Sequence, residues 1–192
     1  MNRDDALKIF KELDCSPNME KHGLAVGFTM AALYDYFKKI NPPAGGPEMS
    51  QEDWEITGLL HDADYEATNK SLELHTEETT KKLQEINADP EIIRAIRGHC
   101  DKEPRDTLMA KAVYAADELT GLIVACALVQ PDKKLGSVTI DSVKRKFKDL
   151  SFARGANRDQ IKTCETELGI PTDEFIELTL KTMQGKSEEL GL

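Results

Sequence analysis

Apolar residues recur at intervals of three and four along almost the whole chain, and no stretch alternates with period two for long, so the pattern predicts an all-α fold. A short helix is expected over Asp4–Leu13, capped by Asn2. A longer one is expected over about Met19–Ile40, where Leu24, Phe28, Ala31, Ala32 and Phe37 trace a buried stripe. Asn41-Pro42-Pro43-Ala44-Gly45-Gly46-Pro47 cannot continue a helix and predicts a loop. Ser50 then serves as an N-cap, with Glu52 and Asp53 favouring the positive helix end, and the helix runs through Trp54, Ile56 and Leu60 to reach His61 and Asp62 near its end. After a polar break at Thr68-Asn69-Lys70, a helix is expected over about Leu72–Ile86. Asp89 caps the next, with Pro90 at its first position and Ile92, Ile93 and Ile96 facing inward.

From Thr107 to Val129 the chain is apolar nearly all round, which predicts a central buried helix with Asp117 in its middle. Pro131 ends it. Thr139 and Asn157 cap two further helices, the second closed by Gly169 before Pro171, and Thr172 caps a last helix up to about Leu190.

A chain of 192 residues can bury one sizeable core, and one domain is expected. Its N-terminus is acidic rather than basic, and its most apolar run, Gly121 to Val129, is far below the roughly 20 residues that span a bilayer. A cytoplasmic protein without a membrane partner is the expectation. Cys15, Cys100, Cys126 and Cys164 lie far apart and read as reduced thiols. The net charge of −10 argues against binding a nucleic-acid polymer or an anionic membrane. From Lys133 to Lys162, however, nine Lys or Arg stand against three Asp, so this segment is locally basic and the remainder carries −16.

The candidate chemistry lies in the order His22, His61-Asp62, His75, His99 and Asp117, which uses all four histidines of the chain. Imidazole nitrogen and carboxylate oxygen together suit Mn, Fe, Co, Ni or Zn. His61 and Asp62, about 100° apart on a helix, can take neighbouring positions on one ion if the helix end faces it. Asp117 stands amid Val113, Ala115, Ala116, Leu122 and Ile123, where an unpaired carboxylate is costly; a metal, a helix end or an arginine would each satisfy it.

With the doublet at the end of the apolar segment Gly58-Leu59-Leu60-His61-Asp62, this ordered set resembles the HD superfamily of metal-dependent phosphohydrolases. The resemblance covers about Met19 to Val129 and implies a helical domain in which His22, His61, Asp62 and Asp117 hold one metal. His75 and His99 stand where members with a two-metal site add ligands. The segments Ala95-Ile96-Arg97-Gly98-His99 and Ala112-Val113-Tyr114-Ala115-Ala116-Asp117 are similar to the branch that hydrolyses dinucleoside polyphosphates symmetrically, from which Glu118-Leu119-Thr120-Gly121 departs. The region from Lys133 onward resembles the tail of uncharacterised bacterial and archaeal HD-domain proteins.

The resemblance thus implies an HD phosphohydrolase core over residues 1–132 and a helical C-terminal extension over 133–192 packed on it. The implied reaction is hydrolysis of a phosphate ester or phosphoanhydride in a nucleotide-like small molecule by a metal-activated water. One or two divalent ions are expected, with Mg also compatible, and two would share Asp62 as a bridging carboxylate. In a one-metal site Asp64 or Glu66 would supply acid–base catalysis. Arg97 is a candidate for a substrate phosphate, as are Arg145, Lys146, Lys148, Arg154 and Arg158 in the basic segment. A non-catalytic nucleotide sensor and, further off, a di-iron oxygenase are the alternative readings, and a monomer or homodimer the expected state.

Overall fold

The computed structural model describes residues 1–40 and 49–192, and among these the ordered elements are all helical. The loop expected over residues 41–47 lies outside the described residues. Helix α1 (Arg3–Glu12) starts from an Asn2–Asp5 capping box, and α2 (Pro17–Ile40) begins two residues before the expected Met19. Helix α3 (Gln51–Leu60) starts from a Ser50–Asp53 capping box and ends so that His61 is its C-terminal cap residue. Helix α5 (Pro90–His99) has Asp89 as N-cap, and α6 (Leu108–Leu128) has Thr107. In the C-terminal part, α7 (Ile140–Lys148) and α8 (Arg158–Glu167) are capped by Thr139 and Asn157. No helix among the described residues is long and apolar enough to cross a membrane.

Three further differences from expectation concern helix ends. The helix expected from Leu72 is shorter: α4 spans Glu77–Glu85, and residues 61–76 form successive turns. Leu72 and Leu74 are exposed, and Asn69, Lys70 and Thr76 adopt positive φ, which a helix cannot accommodate. Thr172 is the first residue of α9 (Thr172–Gly185) rather than its cap; its hydroxyl and backbone N–H both donate to Glu165 Oε1. The chain then breaks at Lys186 before the short α10 (Ser187–Leu190), so α9 does not run through to Leu190. The expected closure of α8 is present, with Gly169 at φ +68°.

Helix α6 packs against α2, α5, α7, α8 and α9, and its Val113, Ala116, Leu119, Leu122 and Ile123 are fully buried. One continuous apolar core runs from Ala6 on α1 to Leu190 on α10. The α2–α3 contact sets the site. A Cβ on Gly58 would lie 2.8 Å from the Cα and the N of Gly27, so the two backbones touch where neither residue has a side chain. That approach brings the imidazoles of His22 and His61 to a centroid separation of 5.1 Å.

Candidate metal centre

Three helices and the turns of residues 61–76 converge on one polar cluster inside this apolar bundle. His22 comes from α2, His61 and Asp62 follow α3, His75 lies in the turns before α4, His99 ends α5, and Asp117 sits in the middle of α6. The two oxygens of Asp62 face different partners. Oδ2 lies 3.7 Å from both His22 Nε2 and His61 Nε2, while Oδ1 lies 3.1 Å from His75 Nε2 and 3.2 Å from His99 Nε2. Asp117 Oδ1 completes the first group, at 3.1 Å from His22 Nε2 and 3.5 Å from His61 Nε2. All six residues singled out by their order therefore meet at one place.

Three of the imidazoles are fixed through Nδ1. His61 Nδ1 donates to Gly58 O at 2.8 Å, His75 Nδ1 to Asp64 Oδ1 at 3.0 Å, and His99 Nδ1 to Ile96 O. With Nδ1 the donor, each Nε2 of a neutral ring carries a lone pair turned into the cluster. His75 Nε2 and His99 Nε2 then stand 2.9 Å apart, a repulsive contact unless a cation or a proton lies between them. His61 Nε2 is fully buried without a hydrogen-bond partner. Two carboxylates and four ring nitrogens facing one another in this way fit divalent ions with mixed nitrogen and oxygen ligands.

Ligand atoms of His22, His61, Asp62 and Asp117 all lie within 4.8 Å of one another, as do those of His75, His99 and Cys100. Cys100 fits the ligand role less well than Asp62. Burial pushes its thiol pKa up and its Sγ is turned to Arg97 O, to which it donates, whereas Asp62 Oδ1 stands 3.1 Å from His75 Nε2 and 3.2 Å from His99 Nε2.

Electrostatics within the protein follow the same pairing. Burial disfavours a charge on His61, but the neighbouring Asp62 and Asp117 carboxylates outweigh it and raise its pKa to about 9. Burial also opposes ionisation of Asp62 and Asp117, yet the surrounding histidines hold both well below the usual carboxylate range.

Asp64 does not face this centre. It is fully buried, and besides His75 Nδ1 it accepts the backbone N–H of Thr76 at 2.8 Å and of Thr79 at 3.0 Å. It therefore orients His75 and satisfies an open N–H in the first turn of α4, which corrects its expected place as an acid–base catalyst. Glu66 is likewise engaged elsewhere, holding the N–H and hydroxyl of Ser16 ahead of α2 at 2.7 and 3.0 Å.

The cationic candidates divide. Arg158 is buried, and its guanidinium donates to the carbonyls of Lys146, Phe147, Asp149, Phe152, Ala153 and Ala156, so its expected phosphate-binding role gives way to one of fixing the α7–α8 corner. Arg97 pairs with Glu77 and Glu103, and Lys146 lies over the ring of Phe152 at 3.8 Å. Arg145, Lys148 and Arg154 are exposed.

Two residues beside the centre carry no advance signal in the sequence. Glu118 is half-buried, accepts the backbone N–H of Asn157 at 3.0 Å, and has its carboxyl pKa raised by burial and by the charge of Asp117. Gln160 Nε2 reaches Tyr114 O at 2.9 Å and Asp117 Oδ2 at 3.4 Å.

No curated protein and no solved structure matches the chain significantly. The family profile described as HD domain matches residues 19–122, from the start of the expected second helix to just past Asp117. That match spans more than half of the 192 residues and contains the whole histidine–aspartate cluster, and on it the chain belongs to the HD-domain family.

Proposed function

We propose that this HD-domain protein is a metal-dependent phosphohydrolase with two divalent ions, acting on a phosphate ester or phosphoanhydride in a nucleotide-like small molecule. The observation that carries the reading is the division of Asp62, one oxygen turned to His22 and His61 and the other to His75 and His99. A carboxylate so placed suits a bridging position, with Asp117 closing the first site.

Divalent ions such as Mn, Fe, Co, Ni or Zn, when bound, supply Lewis acidity and a water of lowered pKa. The chain's own residues do the rest. Gly58 O, Ile96 O and Asp64 hold three imidazoles in the tautomer that ligates through Nε2. Only Asp62 and Asp117 bring negative charge to the ligand set, so a loaded centre stays net positive and favours phosphoryl oxygens. This lessens the need for arginines, in keeping with the engagement of Arg97 and Arg158 elsewhere. Glu118, next to Asp117 and sensing the charges of His22 and Asp62, is the carboxyl proposed to handle protons in place of Asp64. The overall charge of −10 favours a small phosphorylated substrate over a nucleic-acid polymer.

The test is phosphate release from a panel of nucleotides and dinucleoside polyphosphates by ion-free protein resupplied with Mn, Co, Fe, Zn or Mg. Turnover that requires the ion and is lost in Asp62→Ala supports the proposal. Tight nucleotide binding without turnover under every ion would replace it with the sensor reading.

A further inference from the structure

The two oxygens of Asp117 have different surroundings. Oδ1 faces His22 and His61, whereas Oδ2 receives the side-chain amide of Gln160 at 3.4 Å. The same nitrogen donates to Tyr114 O, nearly one turn earlier on α6, at 2.9 Å. Both partners can only accept, which fixes the amide with its nitrogen toward α6. Gln160 lies in the first turn of α8, where its backbone N–H is held by Asn157 Oδ1 at 3.2 Å, and Asn157 N in turn donates to Glu118 Oε2. The turn of α8 thus grips α6 at Tyr114, Asp117 and Glu118. Arg158, within that turn, ties it to six carbonyls of the preceding corner.

We propose that Gln160 is a positioning residue of the His22–His61–Asp62–Asp117 ion site, and that the C-terminal extension is thereby a working part of the centre although it lies outside the HD match at residues 19–122. The inference rests on the metal-centre reading. A carboxylate free to rotate can offer an ion either oxygen or both. A donor held on Oδ2 selects the rotamer that leaves Oδ1 toward His22 and His61, and outer hydrogen bonds of this kind typically change metal affinity by about 10- to 100-fold.

The experiment compares wild type with Gln160→Met, which keeps the side chain's length and removes its donor, by calorimetric titration of ion-free protein with Mn²⁺ together with the melting temperature of the ion-free state. The expected result is one binding step weakened by roughly 10-fold or more, the other unchanged, and little change in melting. Unchanged affinity in both steps would overturn the proposal, as would both steps and the melting temperature falling together, since that is loss of packing. Should wild type show a single step, the two-ion reading fails and Gln160 is judged on that step, with melting as the control. No Mn²⁺ bound by wild type would overturn both readings.

Discussion

Asp62 and Asp64 stand two residues apart and serve different ends. Asp62 divides its oxygens between two pairs of imidazoles, so Asp62→Ala is expected to remove both ions, Asp117→Ala the first and His75→Ala the second; elemental analysis of each variant checks this. Asp64→Asn cannot accept from His75, Thr76 and Thr79 as the carboxylate does, and should weaken only the second site, by about 10- to 100-fold. Glu118→Gln should lower kcat with ion content intact. His61 supplies a pH test. Its pKa, ordinarily 6.5, is raised to about 9 by the adjacent carboxylates, so the stability it contributes without ions is fully present below about pH 6.5 and is lost as pH rises through about 9. Thermal melting of ion-free protein should fall over that range, and an ion, by displacing the proton, should remove most of the dependence; a flat ion-free profile would contradict the pairing. That these six residues gather at one place was legible because four histidines and two aspartates in one order leave few other arrangements. The part played by Asp64 was not, because it depends on the turns of residues 61–76 folding back to bring Thr76 and Thr79 over it.

The elements hold these residues through close contacts whose chemistry is partly local. Helix starts at Asn2, Ser50, Asp89, Thr139 and Asn157 were readable because a capping side chain bonds within three residues of itself. The start of α4 was misplaced because the residues after the polar break at Thr68-Asn69-Lys70 carry no turn signal, while Thr76 adopts φ +68° and cannot lie inside a helix. Nor does periodicity disclose that α2 and α3 touch backbone to backbone. Gly58→Ala places a Cβ 2.8 Å from Gly27 Cα and N, neither of which can move without shifting α2, so a loss of about 1–3 kcal/mol is expected by denaturant unfolding, with weakened binding at the first site. Unaltered stability would mean that the helices separate more easily than this packing implies. Arg158 is the other such point: removing its guanidinium leaves carbonyls of the α7–α8 corner unsatisfied, so Arg158→Met should destabilise the fold and, through Gln160, lower ion affinity.

Across the whole molecule, the all-α class and the central position of α6 follow directly from hydrophobic spacing, since an apolar helix with no polar face has to be surrounded. What spacing does not convey is where the basic C-terminal segment goes. Its positive charge suggested phosphate binding, whereas Arg158 is spent on backbone carbonyls and the segment meets the centre through an uncharged residue, Gln160. Charge reports on solvation and long-range attraction, while a site contact depends on which turn packs against which, here the first turn of α8 against the middle of α6. The account as a whole depends on two ions sharing Asp62. The most direct test is the stoichiometry of transition-metal binding to ion-free protein, followed by titration to saturation with Mn²⁺ or Co²⁺. Two equivalents per chain, falling to one in His75→Ala and to none in Asp62→Ala, is the predicted result; saturation at one equivalent, or two equivalents retained without Asp62, would contradict it.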